Sequence, residues 1–191
     1  MCTVDMLRSL REAGICEKVV DIVNRFSTTS DVVLSGVESV ANLASDQEMG
    51  RIFGKLGMCE VIALTLSRFC RSSKQISIFC CAAISNLSLN NDDNKKRFRR
   101  GGVNEAVVNV LLCHSRFYNV EQWACRALAN LAHGSDENRF ELGSKMACEC
   151  LTRLLERCLN KFRDGGFVLL ILFYSILAPN PSACNINMIK L

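Results

Sequence analysis

Gly36-Val-Glu-Ser-Val-Ala-Asn-Leu-Ala-Ser45, Cys80-Cys-Ala-Ala-Ile-Ser-Asn-Leu-Ser-Leu89 and Ala124-Cys-Arg-Ala-Leu-Ala-Asn-Leu-Ala-His133 align without a gap. Asn42, Asn86 and Asn130 are 44 residues apart each time, as are Val40, Ile84 and Leu128 before them and Leu43, Leu87 and Leu131 after them. The positions around each asparagine are small, with Ala41, Ser85 and Ala129 before it and Ala44, Ser88 and Ala132 two beyond it. A fixed period of this length marks a repeat architecture. A single unit of it cannot bury its own apolar faces, so units must stack.

A second landmark follows the first. After each asparagine segment come a short polar loop, an apolar residue and then a glycine: Phe53…Gly57, Phe98…Gly102 and Phe140…Gly143, with Leu10…Gly14 as an earlier copy. Each glycine opens a further apolar-periodic segment, Ile15–Phe26, Met58–Phe69, Val103–Cys113 and Lys145–Cys158. Within them Val19, Ile22, Val23 and Phe26 recur at helical spacing, as do Val107, Val110, Leu111 and His114. One unit therefore reads as a short helix, a glycine turn, a helix of about three turns, a loop, and a longer helix that carries the asparagine. Glycine suits the sharp bend because a residue there often takes positive φ. The only prolines, Pro179 and Pro181, lie near the C-terminus, so nothing upstream is forced to break a helix.

Over roughly residues 5–158 this pattern resembles the armadillo repeat, the repeat of importin-α and β-catenin. The matching features are the Asn-Leu-Ala/Ser motifs at Asn42, Asn86 and Asn130, the glycines Gly14, Gly57, Gly102 and Gly143, and the period. HEAT repeats are the rival fold, but they predict neither the motif nor the glycine. The resemblance implies an all-α, right-handed α-solenoid of three to four armadillo repeats over residues 1–164, followed by an apolar tail of non-repeat or degenerate sequence over 165–191. It also implies that the third helices line a concave groove whose asparagine ladder holds the backbone of an extended peptide. Asn42, Asn86 and Asn130 inherit that role, for which an amide offers both a donor and an acceptor. The structural alternative is that each asparagine caps or stitches its own repeat.

Importin-type grooves carry tryptophan one turn before the asparagine, where this chain has Glu38, Ala82 and Arg126. The expectation is therefore a binding scaffold without importin-like recognition of lysine-rich signals. Stepping in helical turns from each asparagine gives the groove face: Ser35, Glu38, Asn42 and Asp46; Phe79, Ala82, Asn86 and Asn90; Trp123, Arg126, Asn130 and His133. It runs from acidic, through partly apolar, to aromatic and basic. It fits a peptide with a basic group at one end and an acidic or aromatic group at the other. Trp123, the single tryptophan, is either a binding anchor or a residue packed between repeats.

Lys95-Lys-Arg-Phe-Arg-Arg100 is the densest basic run, and its lysines and arginines Lys95, Lys96, Arg97, Arg99 and Arg100 supply the second reading, a nucleic-acid or anionic-surface binder. The plainer reading is a solvated face with Phe98 buried. A formal net charge of +4 over 191 residues does not favour nucleic acid. Twelve cysteines stand without a secretion signal, without paired CxxC knuckles, and with only His114 and His133 to complete a zinc site. They read as small buried apolar residues in a reducing compartment, the cytosol first and the nucleus second. No phosphate loop, nucleophile elbow or HExxH motif occurs, so the sequence predicts no enzyme, metal or cofactor. In the tail, Tyr174 stands where the next asparagine would fall, and the apolar run Phe167–Ala178 is short for a membrane span. That stretch reads as a degenerate closing helix, or as the end of a shortened form of a longer repeat protein.

Overall fold

A computed structural model describes residues 4–114 and 116–143, and beyond them only the helical positions 149, 150, 152, 153 and 156. The described residues hold ten helices and no strand. Three complete repeats follow one another: α1 (Val4–Glu12), α2 (Ile15–Arg25) and α3 (Ser30–Leu43); α4 (Gln47–Lys55), α5 (Met58–Phe69) and α6 (Lys74–Ser88); α7 (Asp92–Arg100), α8 (Val103–Cys113) and α9 (Tyr118–Ala132). A short α10 (Asp136–Leu142) opens the next. The third helices α3, α6 and α9 pack side by side, and α2, α5 and α8 form a second row behind them. This is the stacked architecture of an α-solenoid.

Local chemistry sets the element ends. Gly14, Gly57 and Gly102 have φ of 69°, 82° and 71°, a left-handed conformation that lets the short first helix turn directly into the second. The polar residues that precede helices act as caps. Asp46 accepts from the Met49 N–H at 2.9 Å, Ser73 from Ile76 at 3.2 Å, Asn91 from Asn94 at 3.1 Å and Ser135 from Asn138 at 3.3 Å. Asp46 is thus engaged at a helix start, whereas the sequence placed it in the groove.

Between the two rows lies a continuous core. Val23, Val37, Val40, Ile62, Leu66, Ile84, Leu87, Val107, Leu111, Leu128 and Leu131 are fully buried. Phe53 and Phe98 sit at matching buried positions, seven residues after the caps Asp46 and Asn91. The same step from Ser135 leads to Leu142, which is buried, while Phe140 is 74% exposed. The alignment of Phe140 with Phe53 and Phe98 is therefore corrected by two residues. Gly143 falls with it: its φ is −70°, that of a helix C-cap, so it is no counterpart of the three left-handed glycines. Most of the expected helix Lys145–Cys158, and the whole tail 165–191, lie outside the described residues.

What joins one repeat to the next, beyond apolar packing, is polar. A helix leaves its last four carbonyls without intrahelical donors, and here side chains of the following repeat supply them. Arg68 donates to the Ser27 carbonyl just past α2 at 2.8 Å, and His114 Nε2 donates to the Cys70 carbonyl at the end of α5 at 2.6 Å. That contact fixes Nε2 as the protonated nitrogen. Buried Asn94 spans Leu87 O at 2.9 Å and Gly50 O at 3.0 Å, and buried Asn138 reaches Leu131 O at 3.0 Å. Gly54 has no side chain because a Cβ there would collide with the Asn94 amide.

The cysteines belong to the core. Of the eight among the described residues, seven are buried and Cys113 is exposed. Burial pushes the Cys59 thiol from its ordinary 9.0 up to about 12, helped by the neighbouring Glu60 carboxylate, and raises Cys80 and Cys81 well above the ordinary value too. These thiols are neutral and unreactive at pH 7.

Two outcomes are expected. Asn94→Ala orphans the Leu87 carbonyl and lowers unfolding free energy by about 1–3 kcal/mol, read from the urea midpoint, and Gly54→Ala moves it in the same direction. Because the folded thiols hold their protons more tightly than the unfolded ones, their contribution is fully present below pH 9.0 and is lost as pH rises towards about 12. The urea midpoint of wild type therefore falls through that alkaline window, and replacing Cys80 and Cys81 by alanine, which removes two of the thiols, makes the fall shallower.

Candidate functional site on the third helices

The groove asparagines are brought into one row by the stacking of α3, α6 and α9. Asn86 donates through Nδ2 to the Ala41 carbonyl of the preceding repeat at 2.8 Å. Asn130 does the same to the Ser85 carbonyl at 2.9 Å, and its Nδ2 also lies 2.9 Å from Ser85 Oγ. Both carbonyls are among the last four of their helices, and neither accepts a backbone N–H: Ser45 and Leu89, which would supply one, turn to Asn42 and Asn86 instead. Asn86 and Asn130 thus stitch neighbouring repeats, which differs from the structural alternative that each asparagine caps or stitches its own. Asn42 is exposed and makes no side-chain bond among the described residues.

This stitching changes what the row offers to a ligand. Asn86 keeps one N–H and its Oδ1, so it remains both donor and acceptor. Asn130 has its amide group on two Ser85 oxygens, which leaves Oδ1 as an acceptor. The expectation of three equivalent donor–acceptor amides therefore gives way to an uneven row.

Around the row, Glu38 and Arg126 are exposed on α3 and α9, and Ala82 between them is buried. The middle of the face is therefore low and uncharged. Phe79 and Trp123 occupy equivalent positions on α6 and α9, half-buried and packed on the core with part of each ring open to solvent. Arg126 lies over the Trp123 ring at 5.4 Å, a cation–π contact that fixes both side chains. Trp123 thus packs against the core, as one of the two sequence readings has it, and leaves part of its ring open to solvent. His133 is exposed at the end of α9.

The basic run does not form a single patch. Lys95 is 3% exposed, and its Nζ donates to the His133 carbonyl at 2.6 Å, capping α9, and to Asp92 at 3.1 Å. Lys95 is structural and leaves the patch. Arg97 pairs with Glu60 at 3.1 Å and Arg99 with Glu141 at 3.5 Å. Lys96 and Arg100 are exposed. Phe98 is buried, as expected. Among the described residues no three His, Cys, Asp or Glu side chains gather into a metal-ligating group, and no helix is long and apolar enough to cross a membrane.

Sequence reasoning missed Asn94 and Asn138, although they too are 44 residues apart, three after their caps. The register that finds them counts from the cap, not from the groove asparagine.

A stack of three-helix units with left-handed glycines after the first helix and an asparagine row on the third defines an armadillo repeat protein. The chain belongs to the GAC ARM domain family, whose model matches residues 3–164. No curated protein matches its sequence. Among solved structures it is similar to an engineered protein (TM-score 0.77, 23% identity, 95% of this chain and 42% of that one). It is also similar to a designed armadillo repeat protein (TM-score 0.74, 20% identity, 90% and 68%) and to another in complex with a (KR)4 peptide (TM-score 0.69, 19% identity, 90% and 68%). At these identities the likeness is one of fold, and the chain spans less than half the length of the first.

The stitching bonds predict a graded alanine series. Asn86→Ala and Asn130→Ala each lower stability by about 1–3 kcal/mol, because a helix-end carbonyl loses its donor. Asn42→Ala stays within about 0.5 kcal/mol. Chemical denaturation of the three variants checks the order.

Proposed function

We propose that the chain is a non-catalytic protein-interaction scaffold that holds an extended peptide segment across α3, α6 and α9. The observation that carries the reading is the row itself: Asn86 and Asn130 stand on adjacent stacked helices with Oδ1 unengaged among the described residues, flanked by Glu38 at one end and by Trp123 and Arg126 at the other. An extended backbone presents N–H groups at regular intervals, and two acceptors on neighbouring helices can take up two of them. Trp123, stiffened by Arg126, offers a rigid aromatic surface of the kind that dominates binding energy. The low floor at Ala82 leaves room for a side chain between the charged ends. The designed armadillo protein that binds a (KR)4 peptide supports the general reading that a stack of this fold can hold a peptide.

The peptide this face fits carries a basic group towards Glu38 and an acidic or aromatic group towards Trp123 and Arg126. We place the scaffold in a reducing compartment, the cytosol first. The use of thiols as core residues supports that placement.

Trp123 is the only tryptophan, so its fluorescence reports directly on the site. A ten-residue probe peptide with two lysines at one end and two glutamates at the other is expected to shift its emission. Glu38→Lys and Arg126→Glu, both exposed and outside the stitching bonds, should each weaken binding by about tenfold, equivalent to about 1.4 kcal/mol. Equal binding of the same peptide with neutral ends would overturn the charge assignment. The absence of any effect of both substitutions would overturn the site.

A further inference from the structure

The short first helices of consecutive repeats lie beside each other, and between α4 and α7 they enclose an open cleft of about 480 Å³. Five cationic side chains line it, Arg51 and Lys55 from α4 and Lys96, Arg97 and Arg100 from α7, against the single carboxylate of Asp93. Even with Glu48 on Arg51 and Glu60 on Arg97 counted beside Asp93, the five cations outnumber the carboxylates around them. The positive charge is also poorly compensated. Lys55, Lys96 and Arg100 form no ion pair among the described residues, and Arg51 is held only by Glu48 at 3.0 Å, a pair in which both side chains are about half exposed. Arg97 is anchored by Glu60, which fixes its direction. Like charges gathered in one concavity repel one another, and an anion removes that cost.

We propose that this cleft binds a compact polyphosphate, two or more phosphate groups carried close together. The chemistry of the lining selects the ligand. A phosphomonoester carries nearly two charges and three strong acceptor oxygens, so two of them offer enough acceptors to engage all five cationic side chains. Guanidinium forks such as those of Arg51 and Arg100 take phosphate oxygens in pairs, while lysines such as Lys55 and Lys96 supply point charge. No aromatic or aliphatic side chain lines the cleft, so neither a stacked base nor a lipid chain finds a surface there. The volume is that of a small-ligand site. Nor does the positive charge continue along the solenoid as duplex nucleic acid requires. The next short helix, α10, carries Asp136, Glu137 and Glu141 against one cation, Arg139, which is paired with Asp136. The site exists only because two repeats stack, since the run 95–100 alone contributes three of its five cations.

Titration calorimetry of the full chain at near-physiological salt tests this with two probes, inorganic tripolyphosphate and a peptide bearing two adjacent phosphoserines. Submillimolar one-to-one binding of either is expected, and which one binds more tightly assigns the source of the phosphates. Lys96→Glu/Arg100→Glu and, independently, Lys55→Glu should weaken it by about tenfold or more. All three side chains are exposed, and the control Lys18→Glu on α2 should leave it unchanged. Circular dichroism confirms the fold of each variant. The proposal is overturned if neither probe binds below the millimolar range, if the variants bind as wild type does, or if only duplex DNA or phosphatidylserine vesicles bind.

Discussion

Helix ends are the constraint on which this structure depends. A stack of short helices has many termini, and each C-terminus leaves carbonyls without donors in a place where the next repeat excludes water. The chain meets this with side chains from the neighbouring unit. Asn86, Asn130, Arg68 and His114 reach back to the preceding repeat, Asn94 and Asn138 reach back to the third helix just before them, and Lys95 caps α9 within its own repeat. Apolar packing alone would allow the helices to slide on one another. Directional bonds to fixed carbonyls set the register between repeats.

The same bonds shape the candidate peptide site. In the proposed reading the asparagine row is shared between holding the solenoid and facing a ligand, and the division is uneven, with Asn130 reduced to an acceptor and Asn86 still two-faced. Charged residues at the ends of the row, Glu38 and Arg126, carry no stitching bond, so they can change with the partner while the amides stay. Under that proposal, scaffold and specificity reside in different residues of one helix face. The short helices α4 and α7 follow a parallel logic. There Lys95 and Arg97 are spent on structure, and Lys55, Lys96 and Arg100 are left over.

Much of the fold was legible because the repeat is written in residues whose conformation is local. Gly14, Gly57 and Gly102 adopt positive φ wherever the turn is tight. Small residues beside Asn42, Asn86 and Asn130 mark where helices approach. The errors came from register. Phe140 looked like Phe53 and Phe98 because it is aromatic and precedes a glycine, yet the cap at Ser135 sets the count and buries Leu142 instead. The site was less legible. Its residues could be placed on one face by helical stepping, but the partners of their polar atoms lie some 44 or 45 residues away, as with Asn86 and Ala41.

The sequence by itself determined the helical repeat, its period, the glycine turns and the apolar core, because those follow from backbone preference and from periodic burial along one chain. Only the tertiary structure decided what the polar side chains do. The five basic residues of the run 95–100 look alike in sequence. Stacking buries Lys95 under the end of α9, pairs Arg97 with Glu60, and brings Lys96 and Arg100 to the same cleft as Arg51 and Lys55. The physical reason is that an electrostatic or hydrogen-bonding role depends on what lies within a few ångströms in space, and those neighbours are far off in sequence, 38 residues for Lys95 and His133 and 37 for Arg97 and Glu60.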